Sequence, residues 1–189
     1  AGMIPQVSVL MAVHNGAATL PATLASIAAQ TLSRFEFVIV DDASDDATPA
    51  LLAAAAQRDS RLQLIRNGQN LGLTASRNIG LEACTTPYVA RIDADDLAAP
   101  QRLAVQAAFL DANADHVLVG ARESVIGATG EALRLGRGAL DWAAFRYLSH
   151  FAPAITHSSA MFRREGAVYD ERHRTAQDFA LWLALQQRG

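Results

Sequence analysis

Three carboxylates within four residues, Asp93, Asp95 and Asp96, follow the apolar stretch Tyr88-Val89-Ala90 and one arginine, Arg91. Acids crowded at the end of a buried strand are unfavourable unless something positive sits among them. Oxygen donors suit Mg²⁺ or Mn²⁺, which are often held by one or two carboxylates and completed by substrate phosphates. The spacing therefore points to a metal-assisted site for a diphosphate, with Asp93, Asp95 and Asp96 all candidate ligands. The competing reading is a set of solvated turn acids that start the next helix.

Other polar groups have similarly divided readings. Asp41 and Asp42 end a second apolar run. They could accept hydrogen bonds from a ribose or a uracil N–H, or simply cap the turn Asp41-Asp42-Ala43-Ser44. Arg77 lies one helical turn after Thr74 and could grip phosphate bidentately, or it could be a solvated arginine on a helix face. His157, beside Ser158 and Ser159, could meet a phosphate or an acceptor, or be structural. Thr175-Ala176-Gln177-Asp178 matches a capping box with its acid at the third helical position. An ionised Asp178 in a cleft is equally what a general base must be. His14-Asn15-Gly16 ends the first apolar run and lacks the Gly-x-Gly-x-x-Gly dinucleotide fingerprint; Gly136-Arg137-Gly138 has only its first two glycines.

The elements that must position these groups alternate. Strands are expected at Val7 to Val13, Phe35 to Val40, Leu62 to Ile65, Tyr88 to Ile92 and His116 to Val119. Helices are expected from Thr19-Pro21 to Gln30, from Thr48-Pro49 to Arg58, from Thr74 to Ala83 and from Pro100 to Asn113, with Thr19 and Thr48 as caps. Alternating strands and helices imply βαβ units and a parallel sheet. In open sheets of that kind ligands bind at the carboxyl ends of the strands. His14-Asn15, Asp41-Asp42 and Asp93 to Asp96 would then share one rim. Beyond it the pattern is less regular: Gly127, Gly130, Gly136 and Gly138 punctuate a stretch holding Arg134 and Arg137. A short helix is expected around Leu140 to Leu148, a strand at Ser158 to Phe162, and a last helix capped by Thr175 and running to the end.

Composition narrows the function. The 189 residues fit a single domain and can bury a core. A net charge of −3 gives no electrostatic case for nucleic acid. All 16 basic residues are arginine. The absence of lysine removes Walker A, Schiff-base and pyridoxal chemistry. A single cysteine, Cys84, forbids an intrachain disulfide and fits a reducing compartment. No apolar run approaches the ~18 to 20 residues of a membrane helix. Ala1-Gly2 reads as a cloning remnant ahead of Met3, and the natural chain is expected to continue past Gly189.

As a set, these motifs resemble the family 2 glycosyltransferases, inverting enzymes of the GT-A fold. VSVLMAVHNGAATLPATLASIAAQTLSRFEFVIVDDASDDAT is similar to the family's nucleotide-binding start, and NLGLTASRNIGLEACTTPYVARIDADD to the segment leading into its Asp-x-Asp. AITHSSAMFRRE and AQDFALWLAL resemble the acceptor-side segment and the helix bearing the base. The resemblance covers nearly the whole chain. It implies a doubly wound, mostly parallel α/β sheet, with about 1–100 binding the nucleotide-sugar and about 101–189 facing the acceptor. It implies Asp42 on uracil with Asp41 beside it, Arg77 near the pyrophosphate, Asp93 near ribose and metal-bound water, Asp95 on Mn²⁺ or Mg²⁺, and Asp178 as base. Two departures stand out: His14 where a tyrosine often precedes the asparagine, and Gln177-Asp178 where Glu-Asp is common.

The implied activity is metal-dependent transfer of a hexosyl-type sugar from a UDP-sugar to an acceptor hydroxyl with inversion, in cell-surface polysaccharide synthesis. The acceptor would be a carbohydrate or lipid-linked, and the location cytoplasmic or at the inner face of the membrane; a homo-oligomer is left open. The runners-up are a nucleotide-sugar-binding domain without activity and a metal-dependent phosphatase.

Overall fold

A computed structural model describes residues 4–127, 131–136, 143, 147, 155–173 and 175–187. The order is β1 (Val7–Val13), α1 (Leu20–Ala28), β2 (Phe35–Asp41), α2 (Thr48–Arg58), β3 (Leu62–Arg66), α3 (Leu73–Ala83), β4 (Tyr88–Arg91), α4 (Arg102–Ala112), β5 (Leu118–Val119), β6 (Ser124–Ile126), β7 (Ala132–Leu135), a 3-10 turn at His157–Ser159, β8 (Met161–Arg163) and α5 (Gln177–Gln186).

Six strands form one sheet in the order β3-β2-β1-β4-β8-β5. β3, β2, β1 and β4 are parallel, whereas β8 runs antiparallel to both β4 and β5. All seven residues of β1 are buried, as expected of a parallel strand covered on both faces. Its period of two divides the core. Val7, Val9, Met11 and Val13 join Phe37 and Ile39 against Leu20 and Ile27 of α1, Leu52 of α2 and Leu103 and Leu110 of α4. Leu10, Val38, Val89 and Phe162 face Leu81 of α3 and Leu181, Trp182 and Leu185 of α5. Each such side chain contributes roughly 1.5–3 kcal/mol when fully buried. The expected doubly wound, mostly parallel sheet flanked by helices is therefore present.

The chain runs outward from β1 through β2 to β3, then crosses back so that β4 lies on β1's other side. The sheet's topological switch point thus falls between the carboxyl ends of β1 and β4, where such sheets leave a crevice for ligands.

The ends of elements differ from expectation. Thr48 is the first helical residue, not the cap, and its N–H is accepted by Asp46 Oδ1 at 2.8 Å. Thr19 occupies the cap of α1 as expected but makes no side-chain capping bond; its hydroxyl donates back to Gly16 O at 3.4 Å. α5 starts at Gln177 after Ala176, whose φ is 57°, with no side-chain cap. Thr175 therefore does not cap it, Asp178 is its second residue, and the capping box is absent. His157–Ser159 form a 3-10 turn, so the strand expected from Ser158 begins only at Met161. The hairpin of β6 and β7 was not anticipated. The helix expected around 140–148 lies outside the described residues except at 143 and 147, as do Gly130, Arg137 and Gly138.

Candidate active site

Asp93 leaves β4 at the switch point. Its carboxylate is gripped on one oxygen, Oδ1, by Arg77 Nη2 at 3.4 Å and by Arg91 Nη2 in a short ion pair. Among the described residues no donor takes Oδ2. Burial alone would raise the Asp93 pKa, but the charges of Arg91 and Arg77 outweigh it and hold the carboxyl below the usual range. Asp95 and Asp96 are exposed beside it. The Ser158 hydroxyl accepts the Asp93 N–H at 3.0 Å. The carboxyl end of Asp96 is partly shielded. That shielding, with the charges of Asp95, Asp93 and Glu123, raises its pKa.

An Asp93 oxygen that no described residue donates to, next to crowded, oxygen-only donors, fits a hard divalent cation. Among the described residues no three His, Cys, Asp or Glu side chains converge as a metal cage. A cation here would be completed by phosphate oxygens, the arrangement Mg²⁺ sites commonly use.

Under these acids lie buried arginines. Arg91 is wholly buried; Nη1 donates to Leu10 O and Ile92 O, and Nε donates to His157 Nε2 at 3.3 Å. Because Nε2 accepts from a group that can only donate, the His157 hydrogen is on Nδ1, and the Tyr169 hydroxyl, 2.8 Å from Nε2, shares that nitrogen's one lone pair with Arg91. Burial, then Arg91 and Arg77, push the His157 pKa far below its ordinary value, so the ring is neutral. Arg77 is buried with Nε unpartnered, and its pKa is lowered by burial and by Arg91. Two guanidinium groups facing one carboxylate leave this floor short of negative charge.

Tyr169 ties the site to α5. It is buried, its pKa is pushed up to about 12 chiefly by burial, and its hydroxyl feels the charges of Arg91, Arg77, Asp93 and Asp178. Asp178 is half-buried on the first turn of α5, one turn before Trp182. Residues four apart share a helix face. The Trp182 ring meets the His157 ring edge-on, centroids 5.6 Å apart. Asp178 is thereby brought to the same region as Asp93, 85 residues earlier in the chain.

The β2 rim is organised differently. Asp42 is buried, and its carboxylate accepts Asn67 Nδ2, Leu71 N–H and Gly72 N–H, each at 2.8 Å. Burial opposes its ionisation, but the bonds from Asn67, Leu71, Ser76 and Gly72 prevail and lower its pKa. It shapes the loop before α3, where Gly72 takes a φ of 86° that favours glycine. Asp41 Oδ1 accepts Ser44 N–H at 3.0 Å. Its buried Oδ2 lies 3.3 Å from Arg66 Nε without hydrogen-bond geometry, so it has an acceptor site to spare. His14 is exposed, and its Nδ1 donates to Asp42 O at 2.8 Å.

Sequence reasoning did not single out Asn67, Ser158 or Tyr169, and Arg91 stood in the motif without a role. Only Arg91 carried a signal: it is a lone charge in an apolar strand, and burying a charge requires partners.

The sequence pattern of glycosyl transferase family 2 matches residues 8–168, from β1 to the segment before Tyr169. The chain belongs to this family. The succinoglycan biosynthesis protein ExoO of Rhizobium meliloti is 35% identical over 162 residues, which are 86% of this chain and 45% of ExoO. A crystal structure of S. aureus TarS superposes with a TM-score of 0.76 at 20% identity, covering 97% of this chain and 56% of that one. The mannosyltransferase PcManGT from Pyrobaculum calidifontis, in complex with GDP-Man and Mn²⁺, gives 0.65 at 24%, covering 86% and 46%. The fold is thus the GT-A glycosyltransferase fold. The chain spans about half the length of ExoO, TarS and PcManGT. Among the described residues of this glycosyltransferase-family chain, no helix is long and apolar enough to cross a membrane.

Proposed function

We propose that this chain forms the catalytic domain of a metal-dependent, inverting glycosyltransferase that uses a UDP-sugar. Its first hundred or so residues bind the donor and the remainder face the acceptor. The observation that carries this reading is the Asp93 carboxylate at the switch point, held on Oδ1 by two buried arginines, with the Asp178 charge acting in the same region. The complexes of TarS with UDP-GlcNAc and of PcManGT with GDP-Man and Mn²⁺ support a nucleotide-sugar donor.

Asp95 and Asp93 would hold Mn²⁺ or Mg²⁺. The bound ion would neutralise charge building on the departing diphosphate. Arg77, with its unpartnered Nε, adds fixed positive charge beneath the phosphates. Asp178 takes the proton of the acceptor hydroxyl. That oxygen forms a bond to the anomeric carbon as the bond to the β-phosphate oxygen breaks, and its electron pair leaves with UDP. Attack on the face opposite the leaving group inverts the centre. The transferred unit is of hexosyl type and the acceptor a carbohydrate or lipid-linked glycan of a cell-surface polysaccharide. The work would be done in the cytoplasm or at the inner face of the membrane.

Calorimetry with UDP, CDP, ADP and GDP, each with Mn²⁺ or with chelator, tests this. UDP is expected to bind tightest and only weakly in chelator, and Asp95→Ala is expected to abolish the metal-dependent part without unfolding the protein. Binding equal in chelator, or unchanged in Asp95→Ala, refutes the site. Tighter binding of GDP refutes the uracil assignment alone.

A further inference from the structure

The mechanism above uses Asp93 and Asp178 but leaves unexplained four buried groups between them: Arg91, His157, Tyr169 and Trp182. A buried guanidinium is expensive unless its donors are used, and Arg91 spends its donors in an informative way. Nη1 is anchored to the backbone of β1 and β4 through Leu10 O and Ile92 O. Nη2 holds Asp93 Oδ1, and Nε is aimed by His157. His157 is in turn fixed by the Tyr169 hydroxyl, 2.8 Å from Nε2, and by the ring of Trp182 on the helix that carries Asp178. Tyr169 is itself tied to α3, where Asn78 Oδ1 accepts its N–H at 2.9 Å and Asn78 Nδ2 donates to its carbonyl at 2.9 Å.

We propose that Arg91 is a positioning residue, turned by His157 and Tyr169 from the acceptor-side half of the chain so that Asp93 offers Oδ2, the oxygen Arg91 does not hold, to the donor's metal ion. On this proposal His157 touches no substrate. Its work is done by the accepting nitrogen that orients Arg91, and its Nδ1–H tautomer follows from that contact. The proposal rests on the donor-site reading given above and adds to it a mechanical link between the two halves.

Tyr169→Phe is the gentlest test, because it removes one hydroxyl and keeps the buried ring. Loss of one hydrogen bond of this kind is expected to weaken Mn²⁺-dependent UDP binding roughly three- to tenfold and to leave binding in chelator unchanged. In an Asp93→Asn background the same substitution should have no further effect, since the link then ends on a group that has lost its charge. His157→Gln, whose Oε1 can still accept from Arg91, should retain most of the affinity, and His157→Leu should not. A merely structural role predicts a lowered Tm with Mn²⁺-dependent affinity within twofold of the parent, or equal losses in both backgrounds; either result overturns the proposal.

Nitrogen-15 NMR of the histidine rings, without any ligand, separates this failure from failure of the donor reading. His157 is expected as the Nδ1–H tautomer, and its Nε2 resonance is expected to move in Asp93→Asn because Arg91 joins the two groups. If the parent binds no nucleotide but that resonance moves, the donor reading fails and the link stands. If the resonance does not respond, the link fails whatever binds.

Discussion

Replacing Asp42 by asparagine asks whether this carboxylate builds the donor site before any ligand arrives. Three donors converge on it at 2.8 Å: Asn67 Nδ2 and Leu71 N–H on Oδ1, and Gly72 N–H on Oδ2. An asparagine can keep its oxygen toward the first two, but each bond falls from the ~1.5–3 kcal/mol of a charged acceptor towards the ~0.5–1.5 kcal/mol of a neutral one. At Oδ2 an amide NH₂ would face the Gly72 N–H, donor against donor. Gly72 N also reaches Asn70 Oδ1 at 3.0 Å, which softens that loss. The total is about 3 kcal/mol at neutral pH, or roughly 6–12 °C in Tm for a chain of this size. Amide exchange at Leu71 and Gly72 should accelerate most.

The pH dependence has a definite sign. The folded pKa of Asp42 lies below its ordinary 3.8, so its contribution is fully present above that value and is lost as pH falls through the folded pKa. The parent should therefore lose its advantage over Asp42→Asn as the solution is acidified from about pH 5. A variant within about 0.5 kcal/mol of the parent at pH 7, or a gap that does not narrow in acid, would refute the loop-building role.

Two further outcomes follow from the packing. A side chain on Gly80 would strike Leu10 and come within 3.0 Å of Val40 Cγ2, so Gly80→Val should lift α3 from the sheet and lower stability by roughly 1–3 kcal/mol in urea unfolding, without changing UDP selectivity. Asp178 makes no cap, so Asp178→Asn should cost under ~1 kcal/mol of stability and leave UDP binding intact. It should slow transfer by ~10² to 10⁴-fold, measured with the natural acceptor on the full-length protein; transfer within a few-fold of the parent would leave the base elsewhere.

The sheet was legible because β1 and β2 are almost wholly apolar, broken only by Ser8 and Glu36 before their polar stops, and few alternatives bury so many such residues in a row. Its strand ends were therefore legible as a rim. The helix caps were not, because Thr48 and Thr175 satisfy the local pattern while Asp46 and the left-handed Ala176 decide the geometry. The division of labour within the site was hidden for a related reason. Asp41 and Asp42 look equivalent in sequence, yet the loop from Asn67 to Gly72 donates to the Asp42 carboxylate and meets Asp41 through its backbone carbonyl. His157 looked like a group for a ligand because its partners Arg91 and Tyr169 are 66 and 12 residues away.

The place of β8 in the sheet has a consequence for synthesis. β8 lies between β4 and β5 and pairs with both, and it is made some seventy residues after β4. Until Met161–Arg163 emerge from the ribosome, β4 can pair with β1 on one side while its other edge, Tyr88 to Ala90, offers unpaired backbone groups. Open, apolar strand edges are templates for aggregation. A nascent chain of this family member is therefore most exposed to misassembly while residues 92–160 are being translated. Slow translation through that stretch should lower its soluble yield more than slow translation anywhere before β4.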